Sequence, residues 1–262
     1  MQIDLKGKTA LVGGASGGIG RAIAMELAAC GASVVLMARN ADKLDAARQD
    51  LPAGDGQKHE ILVSDFADHE KHLETMAEFF RNHTIDILIN NSNGPTAGDV
   101  LSKTLKDYQS AFDLLFQNNV RTTELALKGM REKGYGRIIN VSSLTVKEPQ
   151  DALVLSNTMR VALVSWSTSL AKAVAAEGIT VNSILTGYFA TDRLYSLMEN
   201  QAKSSGVSFE EIERKRMASI PVKRLGNPEE YGYLAAFLAS PYAGFLTGAS
   251  IPLDGGLSST LF

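Results

Sequence analysis

The stretch Gly13-Gly14-Ala15-Ser16-Gly17-Gly18-Ile19-Gly20 has the residue types and spacing to cradle a phosphate. Its glycines let backbone approach a ligand closely. A helix starting inside it offers free N–H groups and the positive end of its dipole. The apolar run Thr9-Ala10-Leu11-Val12 before it reads as a buried parallel strand. The Ala-rich run from Arg21 to Ala28 reads as an amphipathic helix ending near Gly31. Strand, glycine turn and helix in this order bind a dinucleotide pyrophosphate. The spacing is Gly14-x3-Gly18-x-Gly20 rather than G-x-G-x-x-G, and many tight strand-to-helix turns look similar. The turn therefore needs support from the rest of the chain.

That support comes from the ends of the other strands. Apolar runs at 33–38, 60–63, 85–90, 136–143, 179–184 and 250–253 predict strands. Helical patterns fall between them at 41–50, with Asn40 as N-cap, and at 68–82, 107–133, 153–176 and 228–239. About seven strands alternating with helices predict a Rossmann-type, doubly wound α/β fold. Its parallel sheet carries helices on both faces, in one domain over 1–262. Ligands in such sheets bind beyond the carboxyl ends of the strands. The polar and glycine-rich segments 13–20, 39–40, 64–66, 90–94, 142–143 and 186–192 all fall there, which no single motif would ensure.

Composition bounds the rest. The 262 residues are 45% hydrophobic and 21% charged, which suits one large domain with a sizeable core. A formal net charge of −3 and the lack of a long basic block argue against nucleic acid or a membrane surface as partner. Residues 1–7 do not form a signal peptide, and no apolar run is long enough to span a membrane. A lone cysteine, Cys30, excludes an internal disulfide and a thiolate-rich metal site. The four histidines lack metal-ligand spacing, so no metal is expected. A soluble cytoplasmic protein is the default.

The chain resembles a short-chain dehydrogenase/reductase, similar to the 3-oxoacyl-carrier-protein-reductase-like members, over nearly its whole length. The matching pieces are Gly14-x3-Gly18-Ile19-Gly20, Asp65, Asn90-Asn91, the run Gly136 to Ser143, Val181-Asn182, Gly187-x3-Thr191-Asp192, Gly226-x-Pro228-Glu229-Glu230 and Leu253-Asp254-Gly255-Gly256. The resemblance implies a nicotinamide dinucleotide across the strand ends. Gly14, Ser16, Gly18, Ile19 and Gly20 would hold the pyrophosphate end. Asp65 would bond the adenine with Phe66 beside it, and Asn91 would pack near the adenosine ribose. Phe189 and Thr191 would meet the carboxamide, and residues 193–217 would form a substrate lid. Relatives pair their long helices into dimers and tetramers, so a homodimer or homotetramer is expected. Leu163 and Trp166 are apolar residues beyond what one sheet face needs.

The cofactor choice turns on the end of the second strand. An acidic residue there would accept bonds from a free ribose 2′-OH and repel a 2′-phosphate. This chain has Ala38 followed by Arg39, whose planar, permanently charged fork suits a phosphate. NADP(H) is therefore expected over NAD(H).

The family's chemistry rests on Ser, Tyr and Lys with a supporting Asn. Ser143 matches the serine, but Ser156-x3-Arg160 stands where Tyr-x3-Lys belongs. Leu115 stands at the supporting Asn, with Asn118 and Asn119 a turn later. Asn93 replaces a glycine that favours a left-handed turn, and Thr186 replaces a proline. Ser156 and Arg160 lie four apart on one helix face, so both can look into one cleft. A serine hydroxyl is a poor acid, and arginine cannot relay a proton at neutral pH. Either a water held by Ser143 and Ser156 replaces the phenol, or a side chain among Tyr188, Asp151, Lys147, Glu148 and Asp192 supplies the proton.

Three readings follow. The chain is an NADP(H)-dependent oxidoreductase on a small carbonyl or secondary alcohol, with Ser143, Ser156 and Arg160 catalytic. Alternatively it is a non-redox enzyme on the same fold, or a nucleotide-binding sensor or partner subunit. The cofactor expectation has a direct check. Arg39→Asp should cut the preference for NADPH over NADH by about tenfold or more in parallel binding titrations; an unchanged ratio refutes it.

Overall fold

The computed structural model describes residues 2–54 and 56–260. Its seven strands are β1 (Thr9–Gly13), β2 (Ser33–Ala38), β3 (Glu60–Val63), β4 (Ile87–Asn90), β5 (Gly136–Val141), β6 (Ile179–Thr186) and β7 (Ser250–Leu253). All pair in parallel, in the order β3-β2-β1-β4-β5-β6-β7. The order reverses between β1 and β4. That is the switch point at which such sheets open a crevice for a ligand.

Side chains alternate across the sheet and build two cores. Val12, Leu36, Ile87 and Ile89 meet Ile23 and Leu27 of α1 (Gly18–Ala29), Leu44 of α2 (Ala41–Gln49) and Tyr231 and Ala235 of a later helix at Pro228–Ala239. On the opposite face Leu11, Val35, Leu88, Ile138 and Val181 meet α3 (His69–Asn82) through Met76 and Phe79. Two long helices complete that layer.

The first of these was expected as one helix over 107–133. It is interrupted: α4 (Leu105–Phe112) passes through a single wide turn of π type at Asp113–Gln117 into α5 (Asn118–Lys133). Its start is sharpened by a capping box between Thr104 and Asp107. The second, α6 (Val154–Val174), matches expectation closely. Leu163, expected among the apolar residues available for assembly, is instead buried within the chain. Trp166 is half-buried, edge-on to Phe116.

After β6 come α7 (Asp192–Ser205) and α8 (Phe209–Ser219), then α9 (Pro228–Ala239). The α7–α8 pair has its own small core of Leu194, Met198, Ile212, Ile220 and Leu225, separate from the two cores on the sheet.

Polar side chains lock the layers in register below the strand ends. Asn90 donates to Asn140 Oδ1 at 2.9 Å and to Thr123 Oγ1 at 3.1 Å. Asn140 donates in turn to Ser167 Oγ of α6 at 2.9 Å and to Ser183 Oγ of β6 at 3.3 Å. Beside β3, the buried His72 ring bonds Ser64 Oγ at 2.8 Å and is paired with Thr122 Oγ1 at 3.4 Å. His72 thus serves packing and hydrogen bonding between β3, α3 and α5.

Burial, and then the nearby His69, lower the His72 pKa to about 4. In the unfolded chain the ring takes up its proton near pH 6.5, about where a free imidazole does. The folded state resists until about pH 4. The stability held by the neutral ring is therefore complete above pH ~6.5 and drains as pH falls to ~4, by about 3 kcal/mol. Urea unfolding across this range should show the decline, and His72→Phe should make it shallower.

Candidate active site

At the switch point the backbone of β1 and that of β4 come unusually close. A Cβ on Gly13 would run into the Asn91 carbonyl oxygen, and one on Gly14 would lie 2.7 Å from Asn91 Nδ2. That amide donates to the Gly13 carbonyl at 3.0 Å, latching the turn to the end of β4. Gly14 and Gly18 sit at φ +60° and +52°, a left-handed conformation that side chains disfavour. Ala15 N–H bonds the Met37 carbonyl of β2 at 3.2 Å, and Gly20 packs on the Gly14 carbonyl. Ser16 and Ile19 flank the turn, half-buried.

The start of α1 lacks what neighbouring helices have. Side chains of Asn40, Asp68, Thr191 and Ser208 cap α2, α3, α7 and α8. Gly17 caps α1 with no side chain, and no acidic residue lies in its first turn. Its leading N–H groups are left for an anion. Thr191 closes the opposite wall, its Cγ2 lying 3.4 Å from where a Gly18 Cβ would be. A nucleotide pyrophosphate fits these donors.

Arg39 stands exposed past β2 and forms no ion pair among the described residues. Asp65 is exposed past β3, with Oδ1 accepting from Ala67 N–H at 3.0 Å. Phe66 packs its ring 4.9 Å from that of His72. Asn118 holds this loop, donating to the Phe66 carbonyl at 2.8 Å and bonding His69 Nδ1 at 2.7 Å. In the sequence Asn118 stands out only as a neighbour of Leu115. Its partners are some fifty residues away in sequence, so no local signal identified this task. Phe189 turns its ring inward, against Tyr231 and Gly226, leaving backbone rather than ring at the cleft.

Ser143, Ser156 and Arg160 gather at the end of β5. Ser143 Oγ accepts from Thr145 N–H at 3.2 Å and from Thr145 Oγ1 at 3.1 Å. With both acceptor positions filled, its own hydrogen is left to donate. Arg160 donates through Nε to Ser156 Oγ at 3.1 Å and through Nη1 to the Val141 carbonyl at 2.7 Å. Burial first, and the nearby Arg193 as well, push the Arg160 pKa below its usual value, against the pull of Tyr231. Tyr231 lies fully buried, its hydroxyl 3.1 Å from Thr186 Oγ1, and burial holds its proton on. Thr186 thus has a partner that a proline at that place would lack.

Other expected residues take different parts. Leu115 is buried in the wide turn among Ala111, Leu155 and Met159. Asn119 donates to the Leu115 carbonyl at 2.7 Å and is spent there. Asn93 is not left-handed; among described non-glycine residues only Lys223 is. The turn therefore does not require the conformational tolerance that Asn was expected to supply. Glu148 accepts from Ser259 N–H at 2.7 Å and from both Ser258 and Ser259 hydroxyls. Those bonds lower its pKa, which makes it a poor acid. Tyr188 accepts from Gln150 at 3.3 Å beneath the Arg216 guanidinium.

The family model described as enoyl-(acyl carrier protein) reductase matches residues 14–258. The chain is 36% identical over 258 residues to 3-oxoacyl-(acyl-carrier-protein) reductase FabG of Haemophilus influenzae, covering 97% of this chain and 99% of that one. It is 34% identical over 255 residues to the NADPH-dependent reductase BacG of Bacillus subtilis, covering 95% and 97%. The chain belongs to the short-chain dehydrogenase/reductase family. Its fold superposes on L-sorbose reductase from Gluconobacter frateurii, a complex with NADPH and L-sorbose, with a TM-score of 0.92 at 29% identity over all of both chains.

A groove of about 620 Å³ in this short-chain dehydrogenase/reductase runs from Ser16-Gly17-Gly18 along α1 and α2 to Thr191 and the start of α9. It adjoins the phosphate end of the site without reaching Ser143. Gly17 itself has extended backbone at φ −177° and open space where a Cβ would be. Gly17→Asp should therefore cap α1 without strain, raising stability by about 0.5–1 kcal/mol. The same carboxylate would repel the pyrophosphate and weaken NADPH binding by about tenfold or more. Urea midpoints and NADPH titrations should thus move in opposite directions; unweakened binding would refute the phosphate site.

Proposed function

We propose that the chain is an NADP(H)-dependent oxidoreductase acting on a small carbonyl or secondary alcohol through an altered proton path. One observation carries the reading: Ser143, with its acceptor positions filled by Thr145, follows β5 where Arg160 and Ser156 gather, at the same carboxyl edge of the parallel sheet as the uncapped start of α1. NADP(H) rather than NAD(H) is supported by Arg39 following Ala38, and by the NADPH of BacG and of L-sorbose reductase. Gly14, Ser16, Gly18, Ile19 and Gly20 would hold its pyrophosphate. Asp65, Phe66, Asn91, Phe189 and Thr191 would line its length.

The nicotinamide supplies or accepts the hydride. Ser143 donates to the carbonyl oxygen and orients it. Arg160 offers its remaining N–H groups to the ribose hydroxyls, and its charge favours the negative charge that grows on the oxygen. A guanidinium holds its proton too firmly to pass it on. Ser156 accepts from Arg160, so its own hydrogen can order a water shared with Ser143. That water takes the place of the tyrosine phenol of Tyr-x3-Lys relatives. The helices α7 and α8, with their separate core, serve as the substrate lid. The half-exposed outer face of α6, with Val161 and Trp166, supports assembly as a homodimer or homotetramer.

A second reading has support from the same contacts. Arg160 and Ser156 satisfy one another without any acidic group, as they would in a binder that senses the nucleotide without turnover. Titration with NADPH and NADH, then nicotinamide absorbance against a carbonyl panel, separates the two. Turnover by the wild type that falls about 100-fold or more in Ser143→Ala establishes the reductase. Binding without turnover, with activity only in Ser156→Tyr/Arg160→Lys, establishes the sensor.

A further inference from the structure

Ser143 and Ser156 are joined by one segment, Leu144 to Leu155, whose residues 149–152 are exposed. It leaves β5 in a tight turn. Val146 N–H bonds the Ser143 carbonyl at 3.1 Å, and the N–H groups of Lys147 and Glu148 bond the Leu144 carbonyl at 2.8 and 3.0 Å. It enters α6 through Gln150, whose carbonyl accepts from Leu153 N–H at 2.9 Å and from Asn157 Nδ2 at 2.8 Å. Between these ends the segment is tied to distant parts of the chain. Gly98 N–H bonds the Ala152 carbonyl at 2.7 Å, and Gln150 donates to Tyr188. The third tie is the Glu148 carboxylate. Its Oε1 accepts from Ser259 N–H at 2.7 Å, Ser259 Oγ at 3.0 Å and Ser258 Oγ at 3.3 Å.

The partner of Glu148 is itself tightly folded. After β7 the chain wraps around the Asp254 carboxylate, which accepts from Gly256 N–H at 2.9 Å and from Ser258 N–H at 2.8 Å. Gly255 and Gly256 are left-handed, at φ +64° and +84°. The lack of a side chain on Gly255 lets this turn lie on the exit of α8. A Cβ there would sit 2.6 Å from Val222 Cγ2 and 2.9 Å from Ile220 Cγ2. Val222 N–H also bonds the Gly255 carbonyl at 3.3 Å, and Ile220 belongs to the α7–α8 core. The Asp254-Gly255-Gly256 turn therefore touches the α7–α8 unit directly, and the serines that follow it reach Glu148.

We propose that Glu148 is a positioning residue for Ser143, and that segment 254–260 is the clasp through which the α7–α8 unit acts on it. Three donors converge on one oxygen, and a carboxylate accepts them more strongly than a neutral group would. The backbone of Glu148 is fixed to Leu144, so a displacement of its side chain is carried to the residue that follows Ser143. A shift of Ile220 and Val222 moves Gly255, then the two serines, then Glu148. The assignment rests on the oxidoreductase reading for what Ser143 does, but the clasp is tested without turnover.

Hydrogen exchange of the full chain, read by mass spectrometry in Gly255→Ala and Glu148→Ala, decides it. The added methyl of Gly255→Ala crowds Val222 and Ile220, away from the Ser143 segment. It should nevertheless speed exchange of the Val146, Lys147 and Glu148 amides by about tenfold, as Glu148→Ala should. Glu148→Ala should in turn speed exchange at Val222 and Lys223. Glu148→Gln keeps an acceptor oxygen and should restore most of the protection. Unchanged exchange in β1 and α1 separates an opened clasp from general unfolding; if Gly255→Ala unfolds the chain, Glu148→Ala alone decides through Val222. With a carbonyl that the wild type reduces, Glu148→Ala should lower kcat about tenfold while KM and NADPH affinity change by no more than about twofold, and Glu148→Gln should recover kcat. Exchange changes confined to the mutated segment, a Gln variant no better than Ala, or coupled exchange with kcat unchanged would overturn the proposal. If no carbonyl is reduced, the oxidoreductase reading falls, and the exchange result still decides the clasp.

Discussion

Asn140 is buried one residue short of the strand end, and it holds the catalytic half of the site together. Its amide accepts from Asn90 of β4 and donates to Ser183 of β6 and Ser167 of α6. A buried amide of this kind is costly unless its bonds are made, so the strands and the helix have little freedom to slide. Ser143 leaves β5 three residues later. Arg160 sits two helical turns before Ser167 on α6, so one polar tie sets both the strand end and the helix that presents the guanidinium. The cofactor end has a different constraint. There, backbone approaches backbone at Gly13 and Asn91, and the lack of a Cβ is what allows it.

Electrostatics distinguish the two ends. At the end of β1 backbone donors stand free at an uncapped helix start, with Arg39 exposed past the neighbouring strand. At the end of β5 side-chain cations take over, with Arg160 half-sunk among neutral acceptors and Arg193 of α7 reaching the loop after β4. Tyr231 forms part of the floor beneath, its phenol protonated and joined to Thr186. That contact is polar where a proline at position 186 would be inert. The shift of charge from a mobile ammonium to a fixed guanidinium favours holding anions over passing protons.

Much of the fold was legible because parallel strands buried on both faces are nearly continuous apolar runs. Strands at 33–38, 60–63 and 250–253 emerged at the expected residues, as did the Asn40 cap. The long helix over 107–133 was legible as helix but not as interrupted. A π-type turn keeps helical periodicity on either side, and Leu115 within it is apolar like its neighbours. Leu163 was misassigned to a surface because a 3.6-residue period cannot say which of two apolar stripes faces a sheet.

The sequence by itself determined the order of elements, the phosphate cradle and the pairing of Ser156 with Arg160 on one helix face. These are local matters, fixed by residue type and by spacings of three or four. Only the tertiary structure decided what those residues touch. It gave both acceptor positions of Ser143 to Thr145, turned the Phe189 ring away from the cleft and set Asn118 to hold the Phe66 loop. It also brought Arg193 within reach of the loop that follows β4. Each of these depends on groups brought together by packing, and contacts between distant segments leave no periodic trace in the chain.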